Sequence, residues 1–114
     1  MATEVMAGRL EEAVRRLVEF YHPRRIYLFG SAARDEAGPD SDLDFLVVLP
    51  DDAPAELRRS GQIYSVLGGL GVPVDVVTWR ESDFLGRAEA VRASLPATVV
   101  REGRVVYVAE PVPA

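Results

Sequence analysis

The residues with most chemical content lie between positions 30 and 49, where a glycine-serine turn is followed by two aspartates. Gly30 closes an apolar run and precedes Ser31 and a segment rich in Ala, Arg and Glu. Glycine lets the chain turn sharply at a strand end, so the amides of Ser31 and Ala32 are predicted to point outward at the start of a helix. Amides in that position, with the helix dipole and the Ser31 hydroxyl, can hold phosphate oxygens without a basic side chain. Taken alone, Gly-Ser before a helix is more often a plain cap. Ten residues after Ser31 comes Ser41-Asp42-Leu43-Asp44. Alternation along a strand puts Asp42 and Asp44 on one face, roughly 6 to 7 Å apart. Two carboxylates at the mouth of an otherwise apolar strand repel each other and lose hydration, which raises their pKa values unless a cation is bound. Oxygen ligands suit Mg²⁺ or Mn²⁺, and with no cysteine and a single histidine, His22, zinc is disfavoured.

Asp75 adds a third acid. It interrupts Val72-Pro73-Val74-Asp75-Val76-Val77, where an ionised side chain calls for compensation. A neighbouring strand would bring it near Asp42 and Asp44. The bland alternative for each carboxylate is a loop cap or a salt bridge to an Arg; three at strand positions beyond a phosphate cradle fit that alternative poorly.

The elements that must position these groups follow from periodicity. Leu10, Ala13, Val14, Leu17, Val18 and Tyr21 recur at helical spacing, so Val5 to Tyr21 reads as an amphipathic helix stopped by Pro23, with Glu11–Arg15 and Glu12–Arg16 as i,i+4 pairs. Arg25 to Phe29 is short, β-branched and aromatic, a first strand. Ala32 to Ala37 suits a short helix ended by Gly38 and Pro39. Leu43 to Leu49 is almost continuously apolar and closed by Pro50, as expected of a strand covered on both faces. Asp51 or Asp52 is predicted to cap one helix with Pro54 in its first turn, an apolar stripe at Leu57, Tyr64, Leu67 and Leu70, and weakening glycines at 61, 68 and 69. Val72 to Thr78 is the third strand, and Ser82 to Leu95 a further helix ending before Pro96. Thereafter Thr98 to Arg101 and Arg104 to Val108 could form a hairpin about Glu102-Gly103, or a last helical turn capped by Gly103 and then an edge strand; the second fits better. Residues 109–114 read as a frayed tail.

If the cradle at the end of the first strand and the carboxylates at the start of the second share a site, those strands run antiparallel. Asp75, early in a strand reached through a long connection, fits a parallel crossover. The expected class is α+β, a mixed sheet of three or four strands flanked by helices, in a single domain spanning 1–114.

Composition limits the chemistry. Of 114 residues 48% are apolar and 27% charged, as in soluble globular domains. No apolar run approaches the ~20 residues of a membrane helix and no signal-peptide pattern opens the chain, so the cytoplasm is the expected location. A net charge of −5 disfavours long nucleic acid as a partner. All thirteen basic residues are Arg, which excludes a Schiff-base lysine and a Walker-type phosphate loop. His22, Trp79 and the four tyrosines are assigned to packing.

Gly30-Ser31 followed by Asp42-Leu43-Asp44 resembles the signature of the DNA polymerase β-like nucleotidyltransferase superfamily, and Val74-Asp75-Val76-Val77 resembles its third acidic position. Phe29 to Arg34 with Ser41 to Phe45 is especially similar to the minimal nucleotidyltransferases that act as antitoxins of HEPN-domain ribonuclease toxins. Members of that group usually carry Gly after the motif Arg; here Asp35 follows Arg34, adding negative charge near a triphosphate. The resemblance implies a nucleotidyltransferase fold in which Asp42 and Asp44 hold two Mg²⁺ ions. Asp75 would complete the second site or take a proton, and Ser31 would orient the β and γ phosphates of ATP. Arg34 would contact the triphosphate or merely cover the helix. It implies transfer of AMP from ATP to a protein hydroxyl, foremost a tyrosine of a partner HEPN toxin, within a possible hetero-oligomer. A different class remains open, a non-catalytic antitoxin that neutralises its partner by complex formation. Small-molecule transfer is the third reading, since such relatives normally have an added acceptor domain.

Overall fold

A computed structural model of the chain describes residues 2–30, 33, 42–59 and 61–109. The elements are α1 (Ala2–Tyr21), β1 (Arg25–Phe29), β2 (Leu43–Leu49), α2 (Ala55–Arg59), α3 (Gln62–Val66), β3 (Val74–Arg80), α4 (Glu81–Ala90), α5 (Leu95–Glu102) and β4 (Arg104–Val108). The strands form one sheet in the order β3-β2-β1-β4. β2 runs antiparallel to β1 and parallel to β3, and β4 lies antiparallel to β1. This is the mixed, helix-flanked α+β sheet the sequence predicts, with both strand directions around the carboxylates as expected.

β2 is central because it has apolar side chains for both faces. Leu43, Phe45, Val47 and Leu49 point to one side and join Ile26 and Leu28 beneath Ala13, Leu17 and Tyr21 of α1 and Ile63 of α3. Leu46 and Val48 point to the other and meet Tyr27, Phe84 of α4 and Val99 of α5. The Tyr27 and Phe84 rings stack at 5.4 Å. α1 stops where His22 takes a left-handed φ of 48° and its amide donates to the Val18 carbonyl at 2.9 Å; Pro23 then prevents continuation. Arg16 fastens α1 to the end of α3 by donating to the carbonyls of Val66 (3.1 Å) and Gly68 (2.9 Å). Arg15 turns to Glu12 and Glu19 and not to Glu11, while the Glu12–Arg16 pair forms as predicted.

Several boundaries differ from the sequence reading for identifiable reasons. The helix expected after β2 is two short ones, α2 and α3, parted around Gly61, as a glycine inside a weak helix permits. Asp51 caps neither; its Oδ1 accepts the amide of Ser82 at 2.9 Å, tying the start of α4 to the end of β2. β3 begins at Val74 and not Val72, because Pro73 has no N–H for the ladder and contributes only its carbonyl, to Leu43 N at 2.9 Å. The helix expected to run to Leu95 ends at Ala90, and Pro96 opens α5 instead of closing α4. Ser94 accepts the Ala97 amide at 3.2 Å, and proline is pre-organised for a first turn. α5 then ends at Gly103 and β4 follows as an edge strand, the second of the two expected alternatives. Ala109, assigned to the tail, donates to the Arg24 carbonyl at 2.9 Å. Apart from Ala33, the short helix predicted over 32–37, with its Gly38-Pro39 stop, lies outside the described residues, as does the tail at 110–114.

Candidate active site

Three strand ends meet on the sheet face that carries Leu46 and Val48. Phe29, the last residue of β1, pairs with Asp44. Asp44 pairs in turn with Asp75 across the parallel β2–β3 ladder. In-register neighbours of a parallel pair project to the same face, so the two carboxylates stand side by side. Asp42 precedes Asp44 by two residues, just outside β2, and is exposed.

Gly30 follows directly from Phe29 and has a left-handed φ of 76°. A Cβ added there would fall inside the van der Waals surface of Asp44 Oδ2. Both facts require glycine: the backbone leaves β1 in a conformation that side chains resist, and it passes against the carboxylate. The turn continues with Ala33 N donating to Gly30 O at 3.2 Å. Ser31 and Arg34, the other residues expected at the phosphates, lie outside the described residues.

Asp44 is half-buried, and its carboxyl is raised above the ordinary carboxylate range. Burial is the first cause, followed by the charges of Asp75 and Asp42 and by a hydrogen bond with Asp75. Each of these disfavours the charged form of Asp44. Asp75 itself is exposed, because β3 is the outer strand of the sheet. The expectation that its charge is expensive in an apolar strand is therefore corrected: water reaches it, and what it meets is another acid.

This donor set suits a hard divalent cation in its chemistry, carboxylate oxygens with a raised member that a positive charge would relieve. Among the described residues no three His, Cys, Asp or Glu stand close enough together to hold an ion by themselves. That is compatible with Mg²⁺, which usually takes one or two protein carboxylates and completes its octahedron with water and substrate phosphates. Asp44 and Asp75, neighbours across the ladder, are the pair that would hold it, and Asp42 adds its charge from two residues away.

Farther along β3 the same face carries Val77 and Trp79, by the alternation that places Asp75 there. Trp79 packs against the Tyr27–Phe84 cluster, in line with its assignment to packing, and keeps part of its surface exposed beside Asp75's face. The period-two spacing Asp75, Val77, Trp79 was the available signal for that shared face.

A family model described as a nucleotidyltransferase domain matches residues 8–105. No curated protein matches the chain. Among solved structures, a candidate nucleotidyltransferase from Sulfolobus solfataricus is similar in fold, with a TM-score of 0.55 at 19% identity, over 94% of this chain and 86% of that one.

Proposed function

The chain belongs to the nucleotidyltransferase domain family, and we propose that it transfers AMP from ATP to a protein hydroxyl with the help of Mg²⁺. The observation that carries the proposal is the juxtaposition of Asp44, Asp75 and Gly30 at three adjoining strand ends. The likeness of Phe29 to Arg34 and Ser41 to Phe45 to the antitoxin nucleotidyltransferases supports, as acceptor, a tyrosine of a partner HEPN ribonuclease toxin.

In this reading the Gly30 turn, with Ser31 and Arg34, receives the β and γ phosphates through backbone amides and side-chain donors. Asp44 and Asp75, with Asp42 near them, would hold the cation, which would supply positive charge to offset the triphosphate. The acceptor oxygen forms a bond to the α-phosphorus as the bond to the β-bridging oxygen breaks; pyrophosphate leaves with the electron pair. The acceptor proton passes to Asp75 or to water. Because the chain has no lysine, its own positive charge at the phosphates can come only from arginine.

Incubation with ATP, Mg²⁺ and a HEPN-domain partner, followed by intact-mass measurement of both proteins, tests this. Adducts in steps of one AMP on the partner, absent with Asp42→Ala/Asp44→Ala, are expected. Neutralisation of the partner that persists in that double variant, with no adduct, would replace the transferase reading by that of a binding antitoxin.

A further inference from the structure

Beside β3 lies a groove of about 430 Å³. It is lined by Trp79 of β3 and, on α4, by Ser82, Asp83, Gly86, Arg87 and Ala90. A Cβ at Gly86 would meet nothing within 4 Å. Arg87 stands at the rim, and among the described residues its guanidinium has no ion-pair or side-chain hydrogen-bond partner. The other charges there cancel, since Arg80 Nε donates to Asp83 Oδ2 at 3.0 Å. The groove thus offers an aromatic wall and one net cation in a chain whose formal charge is −5.

Its position gives it meaning, and this step rests on the transferase reading. Across the sheet the order is Gly30 at the end of β1, Asp44 on β2, Asp75 on β3. If pyrophosphate departs on the Gly30 side, in-line displacement requires the attacking hydroxyl to arrive from the opposite side, over Asp75. β3 is the outer strand and Asp75 is exposed near its start, so the carboxylate can be reached from that side. Trp79 lies four residues beyond Asp75 on the same face, about 13 Å along the strand.

We infer that the Trp79–Arg87 groove anchors the acceptor: a protein segment with an aromatic side chain for Trp79 and a carboxylate for Arg87, near the hydroxyl that receives AMP. Backbone pairing along the β3 edge is obstructed. Val76 N there faces the Tyr64 hydroxyl at 3.5 Å, and Arg58 lies against the strand, its carbonyl accepting from the Thr78 hydroxyl at 3.1 Å. Recognition falls to the side chains above the sheet.

Trp79 is the only tryptophan, so intrinsic fluorescence reports on this groove alone. The probe is a random copolymer of glutamate and tyrosine, titrated into the full chain, with polyglutamate and ATP–Mg²⁺ titrated separately. The copolymer should perturb Trp79 emission. Arg87→Glu should weaken its binding at least tenfold and leave the affinity for a fluorescent ATP analogue unchanged. Arg92→Glu makes the same charge change on an exposed residue outside the groove and should bind the copolymer as the parent does. Copolymer binding indifferent to Arg87→Glu, or matched by polyglutamate, overturns the inference. So does an ATP-induced change in Trp79 emission that Arg87→Glu abolishes, which would make the groove a nucleobase subsite. Arg87-dependent copolymer binding in a chain that transfers no AMP to any acceptor would sink the transferase reading while leaving the groove's ligand class intact.

Discussion

The sheet face that carries Asp44 is divided between two environments built on the same strands. Along its middle, Tyr27, Leu46, Val48, Phe84 and Val99 pack under α4 and α5, and among the described residues no charged side chain is buried there. At the ends of β1, β2 and β3 the same alternation brings up Asp44 and Asp75 beside Gly30, with Asp42 next to them. The first region satisfies its own contacts. The second is frustrated, with like charges adjacent and one carboxyl raised, a strain that a proton or a bound cation would relieve. The packed region provides the rigidity that lets three strand ends be held in a poor arrangement. Local discomfort of that kind is common where a protein must bind something.

Substitutions on either side should separate the two. Asp42→Ala/Asp44→Ala has the largest expected effect, a loss of AMP transfer on the order of 10³-fold or more in a chain that still unfolds in one cooperative transition. A variant that retained transfer would dissolve the contrast. Phe84→Ala, in the packed half, should lower unfolding free energy by about 3 to 5 kcal/mol in a urea titration, because Phe84 is fully buried against Tyr27. Gly30→Ala joins the regions. Strain at positive φ and collision with Asp44 Oδ2 predict a loss of about 1 to 3 kcal/mol in the same titration, together with weakened ATP binding. Ser94→Ala removes the cap of α5 and should cost about 1 kcal/mol, with ATP affinity unmoved.

The smallest effect is the most diagnostic, since it has the opposite sign. Asp44 has its folded-state carboxyl above the ordinary value of 3.8. For an acid shifted upward, the associated stability is fully present below that ordinary value and is lost as pH rises through the folded-state value. At neutral pH, without metal, Asp44→Asn should therefore raise Tm by roughly a few degrees, the scale of a fraction of a kcal/mol in a domain this size. The parent should gain Tm when Mg²⁺ is added and the variant should gain less. Equal Tm values at pH 7 for both proteins would mean the acidic cluster is not strained.

The strands bearing the candidate site were legible because their signals are local. Leu43 to Leu49 is apolar except at Asp44, and Arg25 to Phe29 is bounded by Pro23 and Gly30; both strands fall on those residues. The connections were less legible because their punctuation is ambiguous. Pro96 ends one helix or opens the next equally well by composition, and the Ser94 hydroxyl, placed by the preceding turn, decides. Asp51 looked like the cap of the helix after it, yet folding brings Ser82, 31 residues away in sequence, to its carboxylate.

By itself, then, the order of residues determined which side chains share a face, since alternation and helical period are properties of the chain alone. It also excluded lysine and cysteine chemistry outright. Only the tertiary structure decided that Asp44 and Asp75 are partners in one ladder and that Gly30 lies against the first of them. It also decided that Trp79 and Arg87 line one groove beside that edge. Strand register depends on how many side chains a whole sheet face can bury at once, and no single segment contains that information.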